Sequence, residues 1–74
     1  MKVDVHLYAT LRRGRFDHQV MDLEDGATVS DLMGRLAIDR SDVGVLTINR
    51  RDAGYHSRLG EGDRVTIIPP LTGG

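Results

Sequence analysis

The group in this chain best placed to do chemistry belongs to no side chain. The sequence of 74 residues ends Ile67-Ile68-Pro69-Pro70-Leu71-Thr72-Gly73-Gly74. Two closing glycines carry no Cβ, so this backbone can thread a channel too narrow for other residues. Pro69 and Pro70 have fixed φ and no amide hydrogen, which makes them a stiff exit from the strand before them. The four residues beyond, at roughly 3.3–3.6 Å each when extended, reach about 13–14 Å. That is far enough for the α-carboxylate of Gly74 to enter the active site of another protein. Terminal glycines also occur in tails that simply fray; the adjoining strand and stiff exit distinguish this one. Leu71, Thr72 and Gly73 then form the threading segment, and Gly74 is the reactive residue.

The remaining candidates for catalysis do not assemble along the chain. His6, His18 and His56 show no metal-ligand spacing and no neighbouring carboxylate pattern, so they read as surface or edge-strand histidines and no metal is expected. Ser30, Ser41 and Ser57 lack a nucleophile-elbow context. No glycine-rich phosphate loop is present, and the eleven acidic residues are scattered. Cysteine is absent, which removes disulfides, thiolate metal sites and a cysteine nucleophile together. The chain is expected to be neither a free-standing enzyme nor the holder of a bound cofactor.

Composition narrows the class further. At 39% hydrophobic and 28% charged, the chain is too apolar for disorder and long enough for one small core. A net charge of −1 supplies no field to capture nucleic acid. Arg12-Arg13-x-Arg15 and Arg50-Arg51 read as solvated surface, with docking on a partner as the alternative. No stretch approaches the length of a membrane span. Lys2 and Asp4 stand where a signal peptide needs apolar residues, so a cytoplasmic protein is expected.

These elements must position the tail. Val3, Val5 and Leu7 alternate with Asp4, His6 and Tyr8, the period of a half-buried strand. Phe16 to Leu23 reads as a second strand, antiparallel to the first because the connection is short. Thr28 opens a helix, with Asp31 completing an approximate capping box. Val29, Leu32, Met33 and Leu36 make its apolar face, and Gly34 lies off that face. Val45 to Asn49 is a third strand with Leu46 and Ile48 inward. One very short strand is expected near Tyr55. Leu59-Gly60-Glu61-Gly62-Asp63 is a turn, and Arg64 to Ile68 is the last strand, with Val65 and Ile67 inward.

The resulting order is ββαβ(β)β: an α+β domain over residues 1–70, with a mixed four- to five-stranded sheet on one main helix. Residues 71–74 form the tail. This is the β-grasp, or ubiquitin-like, arrangement. Period two turns Thr47, Thr66 and Ile68 outward along with His6 and Tyr8. Tyr8 and Ile68 are therefore expected to form an apolar patch beside the tail. Tyr8, Arg12, Thr47, Ile68, Pro69 and Pro70 are the expected partner-binding residues.

The Gly73-Gly74 ending, the turn at residues 59–63 leading into Val65, and the helix opening Thr28-Val29 together resemble the MoaD/ThiS family of ubiquitin-like sulfur carriers. The resemblance spans essentially the whole chain. Pro69-Pro70-x-x-Gly73-Gly74 and Tyr8-Ala9-Thr10-Leu11-Arg12 are similar to the molybdopterin synthase small-subunit branch. Arg12 falls at a recurrent arginine, while Arg13 stands where an acidic residue is often found. The resemblance implies that a ubiquitin-activating-type adenylyltransferase uses ATP to adenylate Gly74. A persulfide donor then converts the carboxylate to a thiocarboxylate. A molybdopterin synthase large subunit, or another sulfur acceptor such as a thiamine pathway, takes the sulfur. Two other readings stay open: a modifier conjugated through Gly74 to lysines, and an interaction module with an inert tail.

Overall fold

In the computed structural model, which describes residues 1–71, the alternating start of the chain forms strand β1 (Lys2–Leu7). Val3, Val5 and Leu7 are fully buried, and Asp4 and His6 take the opposite face. Strand β2 (His18–Asp22) runs antiparallel to β1, setting Met21 opposite Val3 and His18 opposite His6. It is shorter than the expected span from Phe16. The chain arrives through a 3-10 turn (Ala9–Arg12) and a reversal at Gly14, whose φ of 68° favours a residue without Cβ. Phe16 packs half-buried against the core before the ladder begins.

Helix α1 (Val29–Leu36) starts at the expected cap. Thr28 Oγ1 accepts from the Asp31 amide, and the Thr28 amide donates to Asp31 Oδ2 at 2.9 Å. The shorter Asp thus closes a box more often closed by Glu. Val29, Leu32 and Met33 are buried, Leu36 is half-buried and Gly34 faces solvent. The helix ends at Ala37, which adopts the left-handed conformation (φ 55°). There Arg15 serves as a cap: its Nε donates to Leu36 O at 2.8 Å and its Nη2 to Ala37 O at 3.1 Å. A cation on the last carbonyls satisfies orphan acceptors and opposes the negative end of the helix dipole. Arg15 is therefore a structural member of the basic cluster.

Strands β3 (Val45–Ile48) and β4 (Arg51–Asp52) make a hairpin through Asn49 (φ 52°) and Arg50 (φ 69°). Two consecutive positive φ values are the signature of the tight turn that matches strand twist. This turn sets the short strand at residues 51–52 rather than near Tyr55. The segment around Tyr55 serves the helix instead: Tyr55 O accepts from the Ser30 amide and Ser57 O from the Val29 amide. Those are first-turn donors with no partner inside the helix.

Strand β5 (Arg64–Ile68) enters the middle of the sheet, parallel to β1 and antiparallel to β3. The five strands run β2-β1-β5-β3-β4, with α1 packed on one face. This is the β-grasp arrangement. Val65 and Ile67 are fully buried. Among the described residues no polar or charged side chain is buried, so the interior contains no reactive group.

Candidate functional site

The central strand β5 carries the chain to its exit. Beyond Ile68, the Gly44 amide donates to Ile68 O at 2.7 Å. A Cβ placed on Gly44 would lie 2.7 Å from Pro70 Cα and 2.8 Å from Pro69 O. Backbone therefore packs directly on backbone, and the two prolines are seated against the start of β3. Leu71 is then 97% exposed, so the chain has left the surface. Thr72, Gly73 and Gly74 lie outside the described residues. Gly44 reads in the sequence as part of a polar connection, and nothing along the chain marks it as a seat for the tail.

Of the expected partner residues, Pro69 and Pro70 form the exit itself. Tyr8 and Ile68 stand beside it on the sheet face opposite the helix, and Thr47 lies on that face two residues further back, opposite Thr66. Tyr8 is 37% exposed and continues β1 in extended conformation. The parallel register that pairs Leu7 with Ile67 brings it alongside Ile68. Ile68 is half-buried and stands opposite Val45, which is 44% exposed. The patch is thus Tyr8, Ile68 and Val45. Period two within β3 places Val45 on the Thr47 side, which was the available signal for it. Thr47 is half-buried and pairs with Thr66.

Arg12 is pinned to the same end of the sheet. Its Nε donates to Leu7 O at 2.8 Å and lies 3.4 Å from Asp17 Oδ1. Its guanidinium sits 5.1 Å from the centre of the Tyr8 ring, within cation–π range. Pro69 is half-buried and Pro70 exposed. A groove lined by Ala9, Thr10, Arg13, Asp42 and Pro70 runs beside the exit. An aromatic, two aliphatic side chains and a fixed arginine therefore frame the root of the tail.

The structure also brings together residues whose chain spacing showed no pattern. Asp4 and His6 share the outer face of β1, and His18 joins them from β2. His6 Nε2 lies 3.2 Å from Asp4 Oδ2, and His18 Nε2 is bonded to Asp4 Oδ1. Partial burial works to raise the Asp4 pKa. Hydrogen bonds to His6 and His18, with the imidazole charges, outweigh it and hold the carboxyl below its ordinary 3.8. The signal lay in strand period plus cross-strand register, which linear spacing does not display.

Comparison with known proteins agrees with this geometry. The ThiS family matches residues 5–74, whereas no curated protein sequence matches the chain significantly. A protein of Pyrococcus furiosus assigned as molybdopterin converting factor subunit 1 is 25% identical. It superimposes with a TM-score of 0.78 over 96% of this chain and 99% of its own. Small archaeal modifier protein 1 of Haloferax volcanii is 20% identical, with a TM-score of 0.79 over 95% of this chain and 98% of its own. Subunit 1 of the Helicobacter pylori molybdopterin-converting factor, solved in complex with subunit 2, is 19% identical with a TM-score of 0.68 and full coverage of both chains. With one helix on a five-stranded sheet and a family match running to the final glycine, the chain belongs to the ThiS family of ubiquitin-like carriers, proteins that are not themselves enzymes.

Proposed function

We propose that this carrier holds sulfur as a thiocarboxylate at Gly74 and delivers it to the building of molybdopterin. The observation that carries the reading is the seating of Pro69-Pro70 against Gly44. It fixes the direction in which Leu71 leaves the sheet. In the first step the Gly74 carboxylate oxygen attacks the α-phosphorus of ATP held by an activating enzyme, and pyrophosphate leaves. The acyl-adenylate is a good electrophile where the carboxylate was a poor one. A persulfide on the donor attacks its carbonyl carbon and AMP leaves, giving an acyl disulfide. A second thiol cleaves that sulfur–sulfur bond, so the donor side becomes an ordinary disulfide and Gly74 ends as –COS⁻. The chain has no cysteine, so no thiol of its own can intercept either acyl intermediate.

The Tyr8–Ile68–Val45 patch and Arg12 surround the root of the tail and serve both partners, the adenylyltransferase and the synthase large subunit. Thr47 extends that face, and Leu71, Thr72 and Gly73 thread the partner's channel. Deleting Gly73 and Gly74 should abolish ATP–pyrophosphate exchange with the cognate activating enzyme and leave the folded domain intact. Normal exchange by the shortened chain would overturn the proposal. Intact-mass analysis of the loaded protein distinguishes the products. A gain of about 16 Da marks sulfur replacing oxygen, whereas a far larger adduct marks conjugation to another protein.

A further inference from the structure

The geometry points to a divalent metal site, of the class that takes zinc, formed by Asp4, His6 and His18 on the outer face of the sheet. This goes beyond the sulfur-carrier reading and does not depend on it. Asp4 and His6 are two residues apart on β1, so the strand period places both on one face. The antiparallel register sets His18 of β2 directly opposite His6. One ligand atom from each of the three residues lies within 4.8 Å of the others. Their side chains are 35%, 18% and 52% exposed respectively. The cluster is held by two paired strands yet remains open to solvent on the β2 side.

The donor set decides the metal. Two imidazole nitrogens and one carboxylate oxygen suit zinc and its borderline neighbours, whereas magnesium and calcium prefer all-oxygen shells. At bond lengths of about 2.0–2.1 Å, tetrahedral ligand atoms stand roughly 3.3 Å apart. The Asp4–His6 pair already stands at 3.2 Å. The two rings are now stacked, with centroids 4.3 Å apart and planes inclined by 11°. Each nitrogen lone pair lies in the plane of its ring, so stacked rings hold the two in separate parallel planes. Ligation requires the rings to turn until both Nε2 lone pairs meet at one point. Rotation about χ2 supplies that movement without moving backbone, because this torsion is broad. Three protein ligands leave one coordination position open. That position faces outward from the same sheet face that carries Tyr8 and Ile68. A bound ion would tie β2 to β1 and offer a partner a point of attachment.

Titration of untagged protein with zinc chloride tests the site, read by calorimetry and by the histidine ring nitrogens in NMR. We expect one zinc per chain with a Kd of about 10 µM, weaker than a four-ligand structural site. The Nε2 resonances of His6 and His18 should shift while those of His56 stay. His18→Ala and Asp4→Asn should each weaken binding at least about tenfold, the low end of what even outer-shell losses cost. His56→Ala should leave it unchanged, and magnesium should give no saturable heat. Absence of saturable binding to the parent chain below about 1 mM, or an affinity unchanged by His18→Ala, would overturn the site. Should a variant lose its fold, the ring-nitrogen shifts of the parent chain decide the matter alone: unmoved His6 and His18 resonances refute it.

Discussion

Gly44→Ala and Gly34→Ala are the same chemical change with opposite expected outcomes. At Gly44 the new Cβ would meet Pro70 Cα at 2.7 Å, and Pro69 O and Pro70 N at 2.8 Å. Ordinary carbon contacts begin near about 3.5 Å, so the two segments must separate by about 0.7–0.8 Å. The prolines cannot absorb the shift by turning about φ, because their rings lock it. The Gly44–Ile68 hydrogen bond, now 2.7 Å, would stretch to the edge of its useful range. Overpacking of this kind costs about 1–3 kcal/mol. For a chain of this size a central value of about 2 kcal/mol lowers the thermal midpoint by about 8–16 °C. Displacement of the tail root should also slow adenylation by about 10- to 100-fold, since misplacement near 1 Å costs that much in a positioned reaction. Gly34 has nothing within 4 Å of its Cβ position and sits inside α1. Alanine there should stabilise by about 1 kcal/mol through helix propensity. Melting curves and ATP–pyrophosphate exchange on both variants test the pair. A Gly44→Ala protein with the parent's melting point and exchange rate would refute the claim that Gly44 seats the tail.

The other expectations are narrower. Ala37→Gly should raise stability by about 0.5–1 kcal/mol, because relief of the left-handed strain exceeds the entropy that glycine adds to the unfolded chain; a calorimetric melt reads it. Ile68→Asp should weaken binding of the activating enzyme at least tenfold, about 1.4 kcal/mol, in a titration. The domain should stay folded, because Ile68 lies on the outer face and Ile67 holds the core. The hydrogen bond and charge of Lys2 hold the Asp22 carboxyl below its ordinary 3.8. A depressed folded pKa means the contribution is present above pH 3.8 and lost as pH falls through the lower folded value. The midpoints of the parent and Asp22→Asn proteins should therefore differ at neutral pH and converge in acid.

The sequence displayed the parts of the fold that depend on one residue's relation to its near neighbours. Val3-Val5-Leu7 and Val65-Ile67 carry the period of a strand, and Thr28 with Asp31 carries a cap; each is local, and each forms as read. What escaped was set either by contacts distant in sequence or by a turn that the sequence marks weakly. Arg15 looks like one charge among three until α1 ends 21 residues later and offers it carbonyls. The short strand fell at Arg51–Asp52 because Asn49 and Arg50 both accept positive φ. Neither residue is glycine, so the turn announces itself weakly in the sequence.

The candidate site divides along the same line. A terminal Gly-Gly after Pro-Pro is legible because its chemistry needs only chain order: a stiff exit, then a thin thread, then a carboxylate. Gly44 is illegible for the opposite reason, since its missing Cβ matters only once Pro69 and Pro70 fold back beside it across 25 residues. The histidines make the point most sharply. His6 and His18 are twelve residues apart, a spacing that belongs to no helix-borne or loop-borne metal motif. In an antiparallel pair, however, ligand spacing is governed by register: any two residues that sum to a constant lie opposite one another. The pairs Lys2–Asp22, Asp4–Val20 and His6–His18 obey that rule. Once the first two strands are aligned by their buried faces, Met21 against Val3, the position of His18 beside His6 is forced. Asp4 follows from the pleat. A search of strands for ligands should therefore run along the register of the predicted hairpin rather than along the chain.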